Sequence, residues 1–229
     1  MNPSNFKRNI EESKNILSMT PLLKSYAYMH KPIKTKFNRI KSRDDLVTSY
    51  LDEIDNLNYT FLLSDDSFFQ FQCTLDKNSK LSLRYCYFQF PYDIFEYKKF
   101  IKEEYGYDYA DVGDSKENEY FLSAINAPIK ESILYLRYDY AENGYVNGIH
   151  GASHIHIGFL NSIRLTVDKL LTPEAFLFFI LKQVYSETWS EMIKHHHFKR
   201  KYSKFKENCS ELCESLFSRD LDKYELYMT

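Results

Sequence analysis

The 229-residue sequence predicts an α+β fold, with one mostly antiparallel sheet, helices packed on its apolar face and a pair of helices at the C-terminus. Three observations carry this expectation. Residues 59–90 and 134–167 contain runs in which apolar and polar side chains alternate with the period of a strand. Residues before 58 and after 171 repeat their apolar positions with the period of a helix. The run Asp76-Lys77-Asn78-Ser79-Lys80 is a polar turn between two strand-like arms, which joins antiparallel neighbours. The chain reads as a single domain, with a helical part over 1–57, a sheet-rich core over 58–167 and C-terminal helices over 172–229.

The elements follow in order. Ser4 to Leu17 is an amphipathic helix with Phe6, Ile10, Ile16 and Leu17 as its apolar stripe. Thr20 to Arg43 is a positively charged connector. Asp44 to Leu57 is a second helix, and acidic residues in its first turn suit the positive end of the helix dipole. Tyr59 to Leu63, Ser67 to Leu75 and Leu81 to Phe90 are strands, the last stopped by Pro91. Asp93 to Tyr105 is a helix through Ile94, Tyr97, Ile101 and Tyr105, and Gly106 to Glu119 is an acidic loop. Tyr120 to Ala127 fits either helix or strand. Leu134 to Tyr140, Ser153 to Phe159 and Ser162 to Val167 are three further strands. Thr172-Pro173 opens a helix that runs through AFLFFILKQVYSETWSEMIK, its apolar first half deeply buried, with the hydroxyl capping it and proline filling its first position. A last helix over Tyr202 to Ser218 stacks Cys209 and Cys213 one turn apart, both toward the core.

The run from Arg137 to Arg164 carries the chemistry. It holds three of the seven histidines. Strand alternation puts Arg137 and Asp139 on one face, His154 and His156 on one face, and Arg164 opposite Ile163 and Leu165. If the apolar sides share a core, these five polar residues gather on the other side. A solvated sheet face would alternate in the same way, but such faces are usually built from Lys, Glu, Thr and Ser. The two histidines, at i and i+2, stand roughly 7 Å apart along the strand. That spacing suits two ligands of one metal, with Asp139 or His150 as a third. It also suits two imidazoles flanking a phosphate, one as base and one as acid, with Arg137 or Arg164 stabilising the transition state. Two arginines repel a cation, which favours the metal-free arrangement. In a purely structural arrangement, His156 would simply hydrogen-bond Asp139.

A second motif runs from Lys194 to Lys206. It holds six Lys or Arg and no acid, with aromatics between them. Lys194, Lys199, Arg200, Lys201 and Lys204 are the candidates for gripping nucleic-acid phosphates while the aromatics stack on bases. A solvated hinge between two helices would have the same composition.

Composition sets the outer bounds. Aromatic residues make up 17% of the chain, which argues for a folded core and against disorder. The net charge of -2 gives no global field toward nucleic acid or membrane. No CxxC pair occurs among Cys73, Cys86, Cys209 and Cys213, so a zinc knuckle is not expected. The polar N-terminus and the lack of long apolar runs point to a reducing cytoplasm and no membrane partner. Walker A, GxGxxG, HExxH and GxSxG motifs are absent, and no cofactor is implied.

The segment Leu136 to Tyr185 resembles the signature of a bacterial family of unknown function. That signature reads R-[YF]-D, S-H-[LI]-H-[LI]-G, R-[IL] and a proline-led apolar helix ending in tyrosine. Here the elements are Arg137-Tyr138-Asp139, Ser153-His154-Ile155-His156-Ile157-Gly158, Arg164-Leu165 and TPEAFLFFILKQVY. The family often has proline where this chain has Gly151. A fainter similarity exists to TumE-type toxins of toxin–antitoxin modules, which pair an R-[YW]-D strand with a histidine-rich one. The resemblance implies a bacterial origin and a mobile or defence-associated gene, and supplies no reaction. The expectation is a toxin or defence effector acting on phosphodiester or nucleotide substrates. The alternatives are a non-enzymatic partner subunit, bound to an antitoxin or a larger defence protein, and a nucleic-acid-binding module.

Overall fold

A computed structural model describes residues 3–27, 40–159, 163–218, 220–222 and 227–228. Its strands are β1 (Leu23–Tyr26), β2 (Phe61–Leu63), β3 (Phe68–Leu75), β4 (Leu81–Phe88), β5 (Tyr135–Ala141), β6 (Ser153–Ile157), β7 (Ile163–Val167), β8 (Lys169–Leu170), β9 (Ser210–Glu211) and β10 (Tyr227–Met228). The helices are α1 (Pro3–Leu17), α2 (Arg43–Asp55), α3 (Tyr97–Tyr105), α4 (Tyr109–Val112), α5 (Glu117–Ile125), α6 (Pro173–Val184), α7 (Ser186–Met192) and α8 (His196–Lys204). The fold is α+β. Strands β1 to β7 lie side by side in chain order, each antiparallel to the next, and β10 joins β7 in parallel. The short β8 and β9 pair separately.

Alternation gives the sheet two different faces. On one, Phe69, Phe71, Leu83, Tyr85, Tyr87, Leu136, Tyr138 and Ile155 form a continuous apolar surface. Ile10, Ile16 and Leu17 of α1 and Phe176, Leu177 and Ile180 of α6 cover it. Phe176 lies across the rings of Phe69, Phe71 and Tyr85. Burying each such side chain contributes roughly 1.5–3 kcal/mol. On the opposite face, Phe68, Phe88 and Tyr135 sit at one end beneath Leu46, Val47 and Tyr50 of α2. Farther along that face the same strands carry polar residues, described below.

Local chemistry fixes the elements. Ser42 and Asp45 form a reciprocal capping box at the start of α2. In the β3–β4 hairpin, the Asp76 carboxylate accepts the backbone N–H groups of Asn78 and Lys80. Thr172 caps α6 through the Ala175 N–H, with Pro173 at its first position.

Four expectations need correction. The connector from Thr20 contains β1, which pairs with β2; most of the basic stretch Lys31–Arg43 lies outside the described residues. The region Gly106–Glu119 is not a loop. It forms α4, a 3₁₀ turn and the start of α5, because Tyr97 and Phe100 of α3 gather Tyr120, and the Tyr97 hydroxyl bonds Gly113 and Lys116. The helix after Thr172 breaks at Tyr185, whose hydroxyl is bonded to the Tyr87 hydroxyl and to Asp65. The last helix stops at Lys204, and a 3₁₀ turn leads into β9, which pairs with β8. Cys209 is therefore buried while Cys213 is exposed, so the two do not share a core-facing helix stripe.

Candidate functional site

The polar end of the second sheet face is built from two transverse rows. In one row Arg84 of β4 lies opposite Asp139 of β5, Asp139 opposite His154 of β6, and His154 opposite Thr166 of β7. In the other, Cys86 faces Arg137, Arg137 faces His156, and His156 faces Arg164. All five residues singled out in the sequence thus meet on one face, because the antiparallel register sets the odd positions of β5 against the even positions of β6 and β7.

The contacts are short. The Arg84 Nε–H donates to Asp139 Oδ1 at 2.8 Å, and the Arg137 Nε–H donates to Oδ2 at 2.7 Å. His156 Nε2 lies 3.4 Å from the same Oδ2. His154 Nε2 and His156 Nε2 are 2.9 Å apart, and His154 Nδ1 is 2.8 Å from the Gly151 carbonyl. A carbonyl only accepts, so His154 carries its proton on Nδ1 and offers the Nε2 lone pair to the His156 Nε2–H, which is shared with Asp139 Oδ2. His150, at the end of the preceding turn, places its ring centroid 4.8 Å from that of His154.

Burial controls the charges. Arg137 and His154 are each 6% exposed and His156 is 3% exposed, whereas Arg164 stands in solvent. Burial pushes His154 down to about 4, and the neighbouring His156 adds to that effect. Burial also lowers His156, partly offset by its bond to Asp139. Burial alone would raise Asp139, but the His156 bond and the Arg137 and Arg84 charges outweigh it and hold the carboxylate well below its usual range. Both histidines are therefore neutral beside an ionised aspartate. His156 Nδ1 is buried with no hydrogen-bond partner among the described residues.

Asp139, His154 and His156 each offer one atom within 4.8 Å of the others, a donor set that could hold a cation. Both Asp139 oxygens, however, already accept a guanidinium N–H. The sequence reading missed Arg84. Its only signal was an arginine on the same side of β4 as Cys86, and three helices separate β4 from its partner β5.

The basic run lies elsewhere. Phe198 of α8 is buried against Phe178 of α6, which places α8 over the apolar face of the sheet, away from the histidines. Lys194 pairs with Glu191, and Lys201 with Glu12 of α1. Tyr202 and Phe205 also pack on Phe178, so the interleaved aromatics serve the core rather than stand free for stacking.

Among the described residues no helix is long and apolar enough to cross a membrane. No curated protein and no solved structure matches the chain. A family model described as an uncharacterized conserved protein, DUF2290, matches residues 17–218 and so takes in the whole Arg–Asp–His face. The chain belongs to the DUF2290 family.

Proposed function

We propose that the chain is a toxin or defence effector that acts on phosphodiester or nucleotide substrates through His154, His156, Asp139, Arg137 and Arg164. The observation that carries this reading is the row Arg137–His156–Arg164, with His154 bonded to His156. It sets a proton-transferring pair between two guanidinium groups, which is what a charged phosphoryl centre requires. Arg164, on the solvent side, receives the phosphate. The anion's charge then raises both imidazoles from their depressed values toward neutrality, where acid–base groups work best. One ring, still neutral, takes the proton of the attacking hydroxyl, and the other, which takes up a solvent proton once the anion has raised its pKa, gives that proton to the leaving oxygen. Asp139, held by Arg84 and Arg137, orients His156. Three nearby guanidinium groups favour this metal-free course over cation binding.

The test is hydrolysis of a panel of single-stranded and duplex RNA and DNA and of linear and cyclic dinucleotides, with and without chelator. His154→Ala and His156→Ala should each lose at least about 100-fold in rate, and Arg164→Ala about 10²-fold. Circular dichroism checks that each variant folds. Wild-type rates, toxicity or phage protection from both folded histidine variants would remove the catalytic residues.

The depth of the site supports a second reading, in which the cluster knits the sheet of a non-enzymatic partner subunit. Phe121, Leu122 and Ile125 of α5 are exposed and would then dock an antitoxin or a larger defence protein. Copurification from the native host would recover that partner, and Leu122→Asp would release it.

A further inference from the structure

We infer that a cleft between α1 and α8 is a second site, which takes the phosphate backbone of a nucleic acid without reading its bases. The cleft has a volume of about 490 Å³ and its cations come from two helices far apart in sequence: Arg8 from α1, and Arg200, Lys201 and Lys204 from α8. Two carboxylates, Glu12 and Glu174, also line it. Glu12 is engaged by Lys201. Glu174 is buried, and burial raises its pKa while the Lys201 charge and a hydrogen bond with Asn208 oppose that shift. Among the described residues no carboxylate lies within ion-pair distance of Arg8, Arg200 or Lys204, so the lining, with four cations against two carboxylates, keeps an excess of positive charge. Asn5, Asn9 and Asn208 add side chains suited to phosphate and sugar oxygens.

The lining also says what the site does not recognise. It contains no aromatic side chain. The rings of Phe198, Tyr202 and Phe205, which alternate with the basic residues in sequence, are turned into the core around Phe178. Sequence-tolerant single-strand binders gain much of their affinity from base stacking on such rings. A cleft without them grips phosphates alone, so its binding depends on charge and salt and is indifferent to base identity. The cleft does not coincide with the basic run of the sequence. Arg8, remote in sequence, belongs to the site, while Lys194 and Lys199 are not among the lining residues. The cleft stands apart from the histidine chemistry, because the two lie on opposite faces of the sheet.

Fluorescence anisotropy on the full chain decides it, with labelled 20-mers of oligo(dA), oligo(dT), mixed RNA and duplex DNA. The expected result is equal affinity for oligo(dA) and oligo(dT) within about twofold, with log K falling against log salt at a slope near -2, as about three phosphate contacts dictate. Arg8→Ala, Arg200→Ala and Lys204→Ala should each weaken binding roughly fivefold at 0.1 M salt and flatten the slope by about 0.7. Lys77→Ala, which removes an equal charge from the β3–β4 turn, should leave both unchanged. Losses at Lys194 or Lys199 with none at Arg8 would overturn the cleft. Binding of a mononucleotide with no gain from longer strands would overturn the nucleic-acid assignment, and so would absence of salt-sensitive binding to any 20-mer. Cleavage assays on His154→Ala report on the catalytic reading separately, so the failure of one is not mistaken for the failure of the other.

Discussion

His154 keeps its ring neutral at the cost of being hard to protonate, and this ties stability to pH. Its folded-state pKa of about 4 lies below the ordinary 6.5, so folding favours the neutral form. The stabilisation is complete above pH 6.5 and is lost as pH falls toward 4, for a total of about 3 kcal/mol. His156 is shifted in the same direction and loses its contribution from the same upper limit. Asp139, depressed as well but from the lower carboxylate range, keeps its contribution down through this range and yields it only in stronger acid. Urea midpoints at pH 7, 5.5 and 4 should therefore fall steeply with acid, and His154→Gln should flatten the trend. Asp139→Asn should cost about 3 kcal/mol at pH 7, because it leaves the Arg137 guanidinium buried without its counter-charge; equal urea midpoints for variant and wild type would remove that role. The identity of these residues was legible in the sequence through alternation alone. Their contacts were not, since Arg84 reaches Asp139 only through a strand pairing that bridges three helices.

Helices and strands were legible wherever local pattern and tertiary packing agreed. The hairpin turn at Asp76 and the Thr172-Pro173 helix start show this, since side chain and backbone there satisfy each other within a few residues. Pattern failed where a distant partner intervened. The apolar period of α8 continues in sequence through Cys209 and Leu212, yet Ser210 and Glu211 leave the helix to pair with β8, and the Leu212 N–H bonds Asp168. The long apolar helix likewise gives way at Tyr185 to reach Asp65. The element α8 is held chiefly by Phe198, fully buried against Phe178 and Trp189. Phe198→Ala should cost about 3–5 kcal/mol and loosen α8 first, seen as faster amide hydrogen exchange there than in β4 or β5. At α2, Ser42→Ala should cost about 1 kcal/mol through loss of the cap, read as a lowered urea midpoint.

At the scale of the molecule, the sheet is a partition. One face is sealed by α1 and α6, and the other is shared between the apolar end under α2 and the polar end with the histidines. The odd and even positions of β6 thus belong to different environments: Ile155 lies in the helical layer and its neighbours His154 and His156 in the polar one. This division has a thermodynamic consequence. Arg200 lies in the cleft between α1 and α8 and His154 on the far face of the sheet, with packed aromatic side chains between, so their substitutions should add without interaction. In a double-mutant cycle the effect of Arg200→Ala on nucleic-acid affinity should be the same, within about 0.5 kcal/mol, in the wild-type and His154→Ala backgrounds. A strand threaded between the two places would break that additivity, and the size of the coupling would measure how far one substrate spans both sides of the sheet.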